Sequence, residues 1–144
     1  MASASVSAPG ESIAGGEVSL ARLHVLRVMY LVLVIGLGAM IVPDILSHEL
    51  TSRGVIAAML GAVWLLAFLG LRYPLEMLPL LLFEFAWKLV WMIFYGLPQY
   101  SAGQYPPTFP EDFFNIAWGA VLLFVIPWGY VWRHFVRRPA TRWR

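Results

Sequence analysis

Four long apolar runs alternate with short polar stretches along the chain. They cover residues 23–42, 54–71, 75–97 and 113–135. A helix of about 20 residues, rising 1.5 Å per residue, crosses a hydrocarbon core ~30 Å thick, and each run is close to that length. Because the backbone finds no water in that layer, helices are the form expected at these lengths. The pattern predicts an all-α integral membrane protein in which residues 21–136 form an antiparallel four-helix bundle.

The two ends of the chain differ from the apolar runs. Residues 1–20 are rich in Ala, Ser and Gly, with Glu11 and Glu17 as their only charges, and they show no apolar period. This composition predicts a flexible tail. Residues 137–144 carry four arginines and are predicted to form a basic tail.

Composition supports the membrane class and narrows the chemistry. Of the 144 residues, 60% are hydrophobic and 12% are charged, whereas soluble domains carry roughly 25% charged residues. The chain has no cysteine, which excludes disulfides, iron–sulfur clusters and cysteine zinc sites. It also has no dinucleotide, P-loop, zinc-protease or EF-hand motif. The sequence therefore predicts no metal site, no cofactor and no nucleic-acid partner.

The positive charges indicate an orientation. If the N-terminus lies inside, Arg53 is the only Lys or Arg in the loops outside the membrane, and Lys88 falls within the third span. The inner parts then carry eight arginines: Arg22, Arg27, Arg72, Arg133, Arg137, Arg138, Arg142 and Arg144. Since Lys and Arg accumulate on the cytoplasmic side, both termini are predicted to be cytoplasmic. The membrane expected is the bacterial cytoplasmic (inner) membrane.

Small residues and prolines predict how the helices meet. Helices in lipid pack closely through small side chains, and the candidates are Gly54, Ala58, Gly61 and Ala62 in the second span and Gly119 and Gly129 in the fourth. Pro79 and Pro127 are predicted to kink the third and fourth helices.

The third run contains the one chemically unusual feature, a Glu and a Lys within a membrane span. Glu84 and Lys88 are four residues apart, so they are neighbours on a helix, with the acid in the favourable N-terminal position. Each charge alone would cost ~2.5–3.5 kcal/mol at the bilayer centre. The same helix face carries the aromatic residues Trp91 and Tyr95, with Trp87 at its edge. This face is expected to turn away from lipid.

Two interpretations of that face remain open. As a structural ion pair, it would fix a helix or subunit contact. As a functional site, Glu84, Lys88, Trp87, Trp91 and Tyr95 would bind a ligand or line a pathway. The leading hypothesis is a non-enzymatic accessory or self-assembling subunit, partnered by lipid and by copies of itself or a larger membrane complex. The alternatives are a transporter or proton-coupled channel, and a membrane enzyme acting on lipid or quinone.

Overall fold

The fold is helical throughout the part of the chain that the structure describes. A computed structural model describes residues 18–48, 51–103, 106–137 and 139. Helices make up 85% of these residues, and none of them is in a strand. The helices are α1 (Leu20–Leu46), α2 (Ser52–Arg72), α3 (Leu78–Ala102), α4 (Phe109–Val125) and α5 (Trp128–Val136). Most of the two predicted tails, residues 1–17, 138 and 140–144, lies outside the described residues.

Three of these helices are long and apolar enough to cross a membrane. They are α1, α2 and α3, with 27, 21 and 25 residues. The fourth predicted span is divided between α4 and α5, which meet the same test only as a pair and are bent by 71° relative to each other. The all-helical class and the membrane-spanning composition are confirmed. A single straight helix for the fourth span is not observed.

The break in the fourth span has a local cause. Pro127 has no backbone N–H, and a proline disfavours the helical conformation in the residue before it. Ile126 is accordingly extended, with φ −66° and ψ 124°. Pro127 therefore donates no hydrogen bond to the carbonyl of Leu123, four residues earlier. This carbonyl instead accepts a hydrogen bond from Trp128 Nε1 at 2.8 Å. The kink predicted at Pro127 is therefore a complete interruption of the helix.

Pro79 behaves differently, and the kink predicted there is wrong. It lies in the first turn of α3, because residues 74–77 form turns and the helix starts at Leu78. The N–H groups of a first turn have no partner within the helix, so a proline there removes no hydrogen bond.

The hairpin of α1 and α2 is closed by two contacts between an aromatic ring and a glycine. Near the middle of the hairpin, Trp64 of α2 covers Gly38 of α1, and its Nε1 donates to the carbonyl of Val34 at 2.7 Å. Because Gly38 has no side chain, the indole reaches the carbonyl one turn earlier.

The second contact reverses the roles of the two helices. Tyr30 of α1 is buried against Gly70 of α2, and a Cβ at Gly70 would overlap the tyrosine ring. The Tyr30 hydroxyl donates to the carbonyl of Pro74 at 3.1 Å, which ties α1 to the turn before α3.

The buried core lies toward the end of the molecule where Tyr30 contacts Gly70 and Pro74, and it contains residues of four helices. It comprises Leu26, Met29, Tyr30, Val63, Ala67, Leu78, Leu80, Leu81, Leu122, Val125 and Ile126. Helix α1 approaches α4 along Val121–Val125 but not along Phe109–Ala117. The two helices therefore diverge away from the core, and this divergence leaves space beside α3.

Candidate functional site

The polar side of α3 faces the interior of the protein. Glu84 is 1% exposed, and the Lys88 side chain one turn later is 16% exposed. Lys88 Nζ forms an ion pair with Glu84 Oε2, and Trp87 Nε1 donates to the same oxygen at 3.2 Å. The Lys88 ammonium also lies over the Trp87 ring, 4.1 Å from its centroid. The two charges are thus neutralised within one helix.

The second oxygen of the Glu84 carboxylate is in a different environment. Glu84 Oε1 is buried and has no hydrogen-bond partner within the described part of the chain. Most buried polar side-chain atoms in proteins have a partner, so an unpaired oxygen on a buried carboxylate requires an explanation.

A cavity of about 240 Å³ adjoins this carboxylate. It lies between α1, α3 and α4 at the level where α1 and α4 diverge. Buried side chains at its inner end include Met29, Glu84, Ile116 and Leu122. The rim is formed by exposed residues of α1 and α4, namely Val32, Gly36, Met40, Asn115 and Trp118.

Gly119 allows α4 to approach the ion pair. It is buried, and the aliphatic stem of Lys88 lies across it so closely that a Cβ at Gly119 would overlap Lys88 Cδ. A second cavity of about 130 Å³ is also lined by Lys88 and Gly119. The Lys88 side chain therefore borders both cavities.

The other predicted site residues of α3 lie further from the ion pair along the helix. Trp91 is half-buried, and its ring centroid is 6.2 Å from that of Phe109 on α4. Tyr95 is 56% exposed. The structure therefore brings Glu84, Trp87 and Lys88 together at the cavity, while neither Trp91 nor Tyr95 lines it.

The predicted packing residues are also distributed over different environments. Gly61 is buried, with Ile45 of α1 3.2 Å from the position of a Cβ, and Gly54 is half-buried. Ala58 and Ala62 are exposed on α2. Gly129 of α5 is exposed and has open space around it.

Sequence reasoning did not assign two walls of the cavity to the site. Asn115 of α4 and Gly36 of α1 both line the cavity. The Asn115 amide carried a usable signal, because polar residues inside membrane spans tend to face interiors or cavities. Gly36 carried none, because its place at the rim depends on how α1 and α4 diverge.

Comparison with known proteins does not assign this site. No protein-family model, curated protein or solved structure matches the chain. Among the described residues, no group of three or more His, Asp or Glu side chains could hold a metal ion. The function is therefore inferred from the geometry of the cavity.

Proposed function

We propose that this chain is a four-pass protein of the bacterial cytoplasmic membrane, with both termini cytoplasmic, that binds and transfers a small molecule at bilayer depth. In this proposal α4 and α5 together make the fourth pass. The binding site is the cavity beside Glu84, and the role is that of a small-solute carrier.

The observation that carries the proposal is the unpaired carboxylate oxygen of Glu84, a residue that lines the cavity. Leaving a buried acceptor without a donor costs about 1–3 kcal/mol, and more for a charged group. A ligand that donates a hydrogen bond to this oxygen would recover that free energy. Ionisable residues inside a membrane are also candidate functional sites by default.

Lys88 has a supporting role in this site. By pairing with Oε2, it balances the carboxylate charge and leaves Oε1 without a partner among the described residues. The site is therefore polar at one point and apolar around it, as small-molecule sites generally are.

A second candidate function rests on the same ion pair. Because the partners neutralise each other within α3 and the Lys88 stem packs on Gly119, the pair could serve only to hold α3 against α4. The chain would then be an accessory or self-assembling subunit, and the exposed small residues Ala58 and Ala62 would offer a contact surface.

Charge removal combined with native mass spectrometry separates the two functions. Either single change, Glu84→Gln or Lys88→Met, leaves one charge unpaired, so both singles are expected to lower stability. The informative variant is the double change, which removes both charges and is expected to recover stability. Glu76→Gln is the matched control, since Glu76 is exposed in the turn before α3.

The carrier proposal expects a small molecule bound to the wild-type protein and to the Glu76→Gln control, and its absence from the folded double variant. A wild-type protein that carries no small molecule, or a double variant that retains it, would contradict the proposal. If the wild-type protein carries no small molecule and the double variant recovers its stability, the ion pair has the structural role.

A further inference from the structure

The middle of the α1 side of the cavity rim lies at hydrocarbon depth. Val32, Gly36 and Met40 follow one another at four-residue spacing and form one exposed stripe on α1, with Met40 58% exposed. Gly36 is ten residues from the nearer end of α1, about 15 Å along the helix axis at 1.5 Å per residue. Gly36 therefore lies well within the hydrocarbon layer.

The opposite rim is on α4. Trp118 is 54% exposed, and Asn115 is exposed one turn earlier. Helix α1 does not approach α4 along Phe109–Ala117, so the two helices are separated at this level. A molecule dissolved in the acyl chains can reach this separation, because Gly36 and Trp118 on its two sides are exposed.

We propose that the ligand enters from the bilayer, between α1 and α4, and that it is a neutral, largely apolar molecule carrying a hydroxyl group. The hydroxyl donates to Glu84 Oε1, and the apolar part lies against the side chains between α1 and α4. This inference rests on the proposed binding function and adds the route and the chemical class of the ligand.

Charge balance selects a neutral ligand. The Glu84–Lys88 pair carries no net charge, so a cationic ligand would leave one uncompensated positive charge at bilayer depth. An anionic ligand would face the carboxylate oxygen and be repelled by it. A hydroxyl adds no charge and supplies the missing donor.

The volume of the cavity limits the size of the ligand. An apolar cavity of about 150 Å³ binds benzene, and this one measures about 240 Å³. The space fits one aromatic ring with a small substituent. A substituted phenol therefore matches the cavity in size, polarity and charge.

Two fluorinated probes test the donor. Binding of 4-(trifluoromethyl)phenol and of its methyl ether, 4-(trifluoromethyl)anisole, is followed by ¹⁹F NMR with the protein in lipid nanodiscs, and the signal in empty nanodiscs is subtracted. The ether has a methyl group in place of the hydroxyl proton, so it cannot donate a hydrogen bond. The phenol is expected to bind saturably and the ether about tenfold or more weakly, since a hydrogen bond to a charged acceptor is lost. Equal affinities would overturn the assignment of a hydroxyl donor.

Two glycine substitutions test the route. A Cβ at Gly36 would meet no atom within 4 Å, so Gly36→Phe can place its ring across the opening without displacing the backbone. It is expected to abolish saturable phenol binding. Gly129→Phe is the matched control, since Gly129 has equally open surroundings and lies outside the cavity. Gly36→Leu carries the same expectation if the phenylalanine variant does not fold.

The outcomes distinguish this inference from the function on which it depends. Phenol binding that persists in the Gly36 variants would overturn the lateral route. If neither probe binds while the wild-type protein retains a co-purified molecule, the ligand class is wrong and the binding function stands. If no molecule and neither probe binds, both proposals fail.

Discussion

Replacing Gly38 by Ala should destabilise the α1–α2 hairpin although alanine is the better helix former. A Cβ at Gly38 would lie 2.6 Å from Trp64 Nε1 and 3.1 Å from Trp64 Cε2. Those distances are too short, so the indole must move and lose its 2.7 Å hydrogen bond to Val34 O. The indole N–H is then left without an acceptor between two apolar helices.

The magnitude follows from two opposing terms. Losing the acceptor for the partly buried Trp64 N–H costs about 1–3 kcal/mol, the range for an unsatisfied donor. Exchanging Gly for Ala inside a helix returns up to about 1 kcal/mol. Gly36→Ala in the same helix gains only the second term, because a Cβ there meets no atom within 4 Å. The gain in helix propensity is the same in both variants and cancels when their free energies of unfolding are compared. Gly38→Ala should therefore be about 1–3 kcal/mol less stable than Gly36→Ala.

The measurement is the free energy of unfolding in mixed micelles of increasing SDS content, followed by far-UV circular dichroism. A double-mutant cycle adds a further control: in a Trp64→Ala background the indole is absent, and Gly38→Ala should behave like Gly36→Ala. Equal stability of the two alanine variants in the wild-type background would refute the proposed packing of α1 on α2.

Three further changes test other parts of the structure. Tyr30→Phe leaves the carbonyl of Pro74 without its donor and should lower unfolding free energy by about 1–2 kcal/mol; an unchanged value would show that this bond contributes nothing. Pro127→Ala restores a backbone N–H and should straighten the 71° bend between α4 and α5. The distance between spin labels at the start of α4 and at the end of α5 should then increase, whereas an unchanged distance would show that packing causes the bend. Gly119→Ala should displace the Lys88 stem and weaken ligand binding, whereas binding at the wild-type level would show that Lys88 adapts without affecting the cavity.

The fold class was predictable because it depends on local composition. The lengths of the apolar runs limit the chain to helices that span a bilayer, whatever their arrangement. The contact between Glu84 and Lys88 was predictable for the same reason, since a spacing of four residues on a helix brings side chains together.

The two prolines mark where local reasoning stops. Pro79 and Pro127 both lie within apolar runs, yet one lies in the first turn of its helix and the other breaks its helix. The difference depends on where each helix begins, and for α3 that point is set by turns at residues 74–77.

The cavity was also beyond local reasoning. Its walls come from α1, α3 and α4, with Leu60 of α2, and its existence depends on the divergence of α1 from the first part of α4. No pattern within a single helix encodes that divergence, although the Asn115 amide in the fourth span marked one side of it.

The orientation of α3 is the claim on which the site depends, and a spin-label scan tests it most directly. The chain has no cysteine, so single cysteines introduced along residues 81–93 can be labelled without further changes. Collision rates with oxygen, which concentrates in the acyl chains, should be highest at the exposed positions Ala86, Leu89 and Ile93. They should be lowest at Leu81 and Glu84, where the side chains are buried. Maxima at Glu84 instead, or no helical period, would contradict an inward-facing ion pair.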